Sequence, residues 1–182
     1  MMSEETNQSQ KECESMGKKD MKDALAEQKT NVMRLLEQAG IPYQSYCYAE
    51  TGETKGTEVA KLLGQNPEQV FKTLVTVGKS GGHYVFVIPV ECELQLKKAA
   101  QAVGEKSIEM IKSKELLPLT GYIHGGCSPI GMKKLFPTVL DETAILYDTI
   151  FFSGGKVGYQ VEVAPDDLLK LVPYKMADIT CE

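Results

Sequence analysis

The first regular pattern of apolar and polar positions begins near residue 30. In "TNVMRLLEQAG" (30–40) the apolar residues fall on one face of a helix. Thr30 or Asn31 can cap its first turn, and Gly40 suits a left-handed stop. The pattern therefore predicts an amphipathic helix at the start of the folded part of the chain.

Two runs rich in Val, Ile, Tyr and Phe follow, at 71–77 and 83–90, separated by a glycine-rich turn. This arrangement predicts a β-hairpin. Alternation of side chains places Lys72 on one face of the first strand, together with Leu74 and Thr76. A solvated lysine at a strand end and a functional lysine in a site are both compatible with this position.

The remaining patterns mix helices and strands without a regular βαβ alternation. We expect further helices at 56–64, at 94–104, from Ser113 with a limit at Pro118, and from Pro165. Short strands are expected within 43–48, 106–110, 137–141, 148–155 and 157–163. The interpretation is an α+β domain with a curved, mostly antiparallel or mixed sheet and helices on its outside.

Residues 1–28 carry no such periodicity. They are rich in Glu, Lys, Ser and Gln, so ordering them would cost more entropy than their burial could return. We expect a disordered or loosely helical polar tail over 1–28 and a single domain over 29–182.

Composition and charge narrow the classes of function. The 182-residue chain has no apolar run near 18 residues and no apolar signal segment at its start, which predicts a cytoplasmic protein without a membrane partner. Of the net charge of −5, residues 1–28 carry −3 and the rest −2, which argues against extended binding to DNA or other nucleic acid. The five cysteines form no CxxC pair, so we expect reduced thiols and neither a disulfide framework nor a metal site.

Candidate chemistry centres on "GYIHGGCSPIG" (121–131), where glycines permit close approach to main-chain N–H groups. His124 and Cys127 could form an activated nucleophile pair, but their spacing in a loop does not establish that geometry, and a buried thiol that fills space is the favoured interpretation of Cys127. Lys72 on its strand, backbone donors in this segment and Tyr48 are a minimal set of groups for hydrolysing an acyl ester without a protein nucleophile. No motif for a cofactor is present.

The combination of motifs resembles the YbaK/EbsC family of aminoacyl-tRNA deacylases, which is similar to the editing domain inserted in bacterial prolyl-tRNA synthetases. The resemblance extends from about Thr30 to Ile179. It depends on "FKTLV" (71–75), "GYIHGGCSPIG" (121–131), "SGGKVG" (153–158) and "VEVAPDDLLKL" (161–171).

The resemblance implies a partly closed, barrel-like sheet and hydrolysis of misacylated tRNA(Pro), with cysteinyl-tRNA(Pro) as the implied substrate and the substrate's own thiol as the attacking group. Lys72 is the implied catalytic residue. The implied substrate-binding residues are Tyr48, Thr73, Gly125, Gly126, Ser128, Pro129 and Gln160.

The implied partners are the aminoacylated 3′ end of tRNA(Pro) and a prolyl-tRNA synthetase. Gln160 stands where many cysteine-specific members carry an aspartate, so alanine or serine stays open as the amino acid removed. A non-catalytic module that binds the aminoacyl end or regulates a synthetase is the alternative of another class.

Overall fold

The computed structural model describes residues 29–181, which form five α-helices and eight β-strands. The helices are α1 (Asn31–Gln38), α2 (Gly56–Leu62), α3 (Leu96–Val103), α4 (Ser113–Thr120) and α5 (Pro165–Leu171). The strands are β1 (Gln44–Cys47), β2 (Phe71–Gly78), β3 (His83–Pro89), β4 (Ile108–Met110), β5 (Thr138–Asp141), β6 (Ile150–Ser153), β7 (Tyr159–Val163) and β8 (Tyr174–Ala177). The predicted tail, residues 1–28, and the last residue, Glu182, lie outside the described residues.

The strands form two sheets. The smaller has the order β1-β7-β6, with antiparallel pairs, and the larger has the order β4-β2-β3-β5-β8. In the larger sheet β2 pairs antiparallel with β3 and β4, whereas the β3–β5 and β5–β8 pairs are parallel. An isolated bridge between Val70, just before β2, and Phe151 of β6 links the two sheets. The α+β class with mixed pairing is confirmed, and barrel-like closure stays a prediction.

Local signals explain most element boundaries. The hydroxyl of Thr30 accepts a hydrogen bond from the Met33 N–H at 3.3 Å, which makes Thr30 the cap of α1. The predicted limit of α4 at Pro118 is wrong, because the helix continues to Thr120 and ends at Gly121. Proline has no backbone N–H, so Pro118 removes only one backbone hydrogen bond, in the last turn of the helix. The sequence patterns did not predict β8.

Buried side chains in the described part of the chain form three clusters, and the largest contains residues from both sheets and from α1. Its members include Leu36, Phe71, Ile130 and Phe152. It holds β2 and β7 in place behind the cavity described below. Among residues 29–181, no helix has the length and apolar character needed to cross a membrane.

Candidate active site

A cavity of about 450 Å³ opens beside β2, within the range of volumes typical of sites for small ligands. Its wall is assembled from seven parts of the chain: Tyr48, the start of α2, residues 70–75, Val90 after β3, the β4–α4 region, the glycine segment, and the β6–β7 pair. The residues of this wall include Tyr48, Thr54, Lys55, Gly56, Phe71, Lys72, Thr73, Met110, Ser113, His124, Gly125, Cys127, Ser153 and Gln160.

Lys72 lies half-buried in this wall. Its Nζ donates a hydrogen bond to the Val90 carbonyl oxygen at 3.2 Å. Burial lowers the pKa of the Lys72 ammonium, and the nearby negative charge of Glu93 partly opposes this effect. Lys72 is therefore a partly desolvated cation beside the cavity. It is not a freely solvated lysine at a strand end.

Thr73 and Tyr48 also lie on the wall. The Oγ1 atom of Thr73 is buried without a hydrogen-bond partner among the described residues. An unpaired buried hydroxyl costs about 1–3 kcal/mol. Burial raises the pKa of the Tyr48 phenol, so Tyr48 is a neutral hydroxyl at ordinary pH.

The glycine segment contributes fewer groups to the cavity than its motif implies. Gly125 is on the wall, with φ +84°, but Gly126, Ser128 and Pro129 are not. The expectation that Gly126 offers a free backbone donor is wrong, because its N–H donates to the Ile123 carbonyl at 3.0 Å. A Cβ on Gly126 would stand 3.0 Å from the backbone nitrogen of Val157, so this glycine permits close packing of two loops.

Ser128 and Pro129 do not line this cavity. Ser128 is fully buried, and its hydroxyl accepts a hydrogen bond from the Ile130 N–H at 3.3 Å. Pro129 lines a separate cavity of about 230 Å³ next to Leu35. Both residues support the segment from behind, so their direct contact with a substrate is not favoured by this geometry.

His124 and Cys127 both lie on the cavity wall, as a nucleophile pair would require. Cys127, however, is only 9% exposed, and burial raises the pKa of its thiol to about 12. A thiol with so high a pKa is almost entirely protonated at neutral pH, which disfavours Cys127 as a nucleophile.

Gln160, in the middle strand of the smaller sheet, is 3% exposed. Its amide forms a reciprocal pair with Gln65: Gln65 Nε2 donates to Gln160 Oε1 at 2.6 Å, and Gln160 Nε2 donates to Gln65 Oε1 at 3.0 Å. Gln65 was missed from the sequence, where "LLGQ" indicates only the end of a helix.

The site therefore combines a cation, an unpaired hydroxyl and a neutral amide around a partly apolar cavity. Within residues 29–181, no three or more His, Cys, Asp and Glu side chains are grouped as metal ligands would be. These groups can bind and polarise an ester, but none of them is an activated nucleophile.

Comparison with known proteins agrees with this chemistry. The family model of the aminoacyl-tRNA editing domain matches residues 51–171. The chain is 50% identical over 155 residues to EbsC of Enterococcus faecalis, provisionally named a Cys-tRNA(Pro)/Cys-tRNA(Cys) deacylase, and the match covers 85% of this chain and 94% of EbsC.

A proline–tRNA ligase of Shouchella clausii is 28% identical over 119 residues, which are 65% of this chain and 21% of the ligase. A crystal structure provisionally described as a trans-editing enzyme for prolyl-tRNA synthetase superimposes with a TM-score of 0.72 and 29% identity, over 83% of this chain and 95% of that one. The resemblance inferred from the sequence motifs is thereby confirmed, and the chain belongs to the aminoacyl-tRNA editing domain family.

Proposed function

We propose that this protein hydrolyses the ester bond between tRNA(Pro) and a wrong amino acid, with cysteinyl-tRNA(Pro) as its main substrate. The observation that carries the proposal is the half-buried Lys72 ammonium in the wall of this cavity. The identity with EbsC supports the choice of cysteine. A second hydrolytic step is needed chemically, since an apolar synthetase pocket discriminates weakly between amino acids of similar size.

The proposed reaction uses the thiol of the substrate. Its sulfur attacks the ester carbonyl carbon, the bond from that carbon to the ribose oxygen breaks, and the ribose oxygen takes up a proton. The product of this step is a four-membered thiolactone, which water opens to free cysteine. No protein nucleophile is required, which fits the high pKa, about 12, to which burial raises the thiol of Cys127, the one cysteine that residues 29–181 contribute to the wall.

The roles of the wall residues follow from their chemistry. Lys72 would orient the ester and stabilise the negative charge that develops on its oxygen. The N–H groups of Gly125 and Cys127 are the proposed further donors, because they have no hydrogen-bond partner among residues 29–181 and their residues lie on the wall. Tyr48 and Thr73 would bind the substrate through their hydroxyls.

The rest of the tRNA would be held elsewhere. A body with a net charge near neutral suits a domain that reads only the acylated 3′ end. We therefore propose prolyl-tRNA synthetase as the partner that holds the remainder, and the cytoplasm, where tRNA is charged, as the site of action. Closure of the two sheets into a partial barrel around the cavity belongs to the same proposal.

The test is release of radiolabelled amino acid from tRNA(Pro) charged in parallel with Cys, Ala, Ser and Pro. We expect rapid release of cysteine and no release of proline above the rate without enzyme. Equal or faster release of alanine or serine would contradict the choice of cysteine. Saturable binding of the charged tRNA without any release would instead indicate the binding module.

A further inference from the structure

The hydrogen-bonded amides of Gln65 and Gln160 connect the wall of the cavity to a residue outside it. Gln160 is on the wall, whereas Gln65, at the end of α2, is not. The two side chains connect residues 95 positions apart in the chain. Gln65 is therefore placed to control how the Gln160 amide is presented to a ligand.

The backbones on both sides of the pair are held firmly. After α2, the Gly64 N–H bonds to the Lys61 carbonyl and the Gln65 N–H bonds to the Ala60 carbonyl, at 3.2 and 2.8 Å. These two bonds and the positive φ of Gly64 form a Schellman motif, which fixes the direction of Gln65. Gln160 is paired on one side with β1 and on the other with β6.

The pair leaves part of the Gln160 amide unused. A glutamine amide has two N–H donors and two acceptor lone pairs, and the reciprocal pair uses one of each. One N–H and one lone pair on the carbonyl oxygen remain, in a neutral group that is almost fully buried at the cavity wall. Such an oxygen can accept a charge-assisted hydrogen bond from a cation in the cavity.

We propose that Gln160 binds the α-ammonium group of the aminoacyl ester through this oxygen, and that Gln65 is the positioning residue that holds the amide in that orientation. The inference deepens the proposed function and rests on it for the identity of the ligand. It restricts the substrate class to esters with a free α-amino group and excludes N-acylated aminoacyl esters.

Two substitutions at position 65 impose opposite orientations on the Gln160 amide. In Gln65→Glu the carboxylate only accepts, so the Gln160 N–H turns toward it and the carbonyl oxygen stays available to the ligand. In Gln65→Lys the ammonium only donates, so it takes the carbonyl oxygen and leaves the N–H toward the ligand. Gln65 is partly exposed, so either charge is tolerable there.

The measurement is calorimetric binding of an amide-linked, non-hydrolysable cysteinyl-adenosine and of the same compound without its amino group. For the wild type and Gln65→Glu we expect the amino compound to bind about 10-fold or more tightly, as befits a hydrogen bond to a charged group. For Gln65→Lys we expect the preference to disappear. Each variant is also made with Gln160→Leu, where the preference should no longer depend on position 65.

Several results would overturn the inference. They are a wild type without preference for the amino group, no measurable binding of the amino compound, or a Gln65→Lys variant with the wild-type preference. An effect of position 65 that persists with Gln160→Leu would show a direct effect of charge and would also overturn it. The wild-type comparison needs no variant to fold.

The binding measurement and the tRNA hydrolysis assay separate the two proposals. Hydrolysis without a preference for the amino group leaves the proposed function standing and refutes the role of Gln65 and Gln160. The expected preference without any hydrolysis supports the amine site and refutes the enzyme.

Discussion

Replacement of Cys127 by serine tests whether the reacting thiol belongs to the protein or to the substrate. Burial raises the pKa of the Cys127 thiol to about 12, so at pH 7 only about one molecule in 10⁵ carries the thiolate. A substrate thiol with the ordinary pKa of about 8.5 is ionised to about 3%. The substrate therefore supplies roughly 3,000 times more thiolate than Cys127.

From these fractions we expect Cys127→Ser to retain about half or more of the wild-type kcat/KM for cysteinyl-tRNA(Pro). Seryl-tRNA(Pro), which differs from the substrate by oxygen in place of sulfur, should be at least about 100-fold slower, because a hydroxyl is hardly ionised at this pH. The release assay measures both rates. Cys127→Ala is the matched variant, since it removes the thiol without burying a new hydroxyl.

Intact-protein mass spectrometry during turnover gives an independent readout. An acyl group captured on Cys127, or equal rates on the seryl and cysteinyl esters, would refute the reasoning. Loss of activity in both variants with unchanged circular dichroism and unfolding temperature would also place the nucleophile on Cys127, with His124 as its base.

Three further predictions concern other parts of the chain. Lys72→Met should lower the rate of release by about 100-fold or more with little change in unfolding temperature, because it removes a charge beside the ester and only one hydrogen bond. A folded variant that retains most of the activity would exclude Lys72 from the mechanism. Deletion of residues 1–28 should leave the release rate within about 2-fold of wild type, whereas a fall of several degrees in unfolding temperature would show that the tail docks on the domain. Gly126→Ala should destabilise the fold by about 1–3 kcal/mol in chemical denaturation, because its Cβ would press on the Val157 backbone. Gly82→Ala is the control, because its Cβ would meet only side chains. Equal effects of the two substitutions would contradict this packing argument.

Local patterns in the sequence were sufficient to predict the elements whose formation depends on residues close together in the chain. The cap at Thr30, the hairpin that carries Lys72 and the helix from Pro165 follow from spacing and from residue types within a few positions. The combination of four motifs, among them the segment around Gly125, was sufficient to predict the family. In each of these cases the physical cause acts over a few residues, so it is legible in a single sequence.

The tertiary structure alone decided which of the motif residues meet. The glycine segment has no periodicity, so nothing in it indicated that Gly125 lines the cavity while Ser128 and Pro129 do not. The use of the Gly126 N–H by Ile123 likewise depends on the path of the loop. The parallel pairing of β8 with β5 depends on contacts between distant segments, and short strands carry little signal for such contacts.

The pair of Gln65 and Gln160 shows the same limit at the site itself. Position 160 was noted in the sequence because it departs from the aspartate of related proteins, but no sequence pattern indicated its bond to Gln65, which is 95 positions away. The bond exists because a helix cap and a central strand are brought together by packing of the two sheets and α2 around one cavity. Burial then requires each amide to find a partner, and only the folded chain determines which partner is within reach.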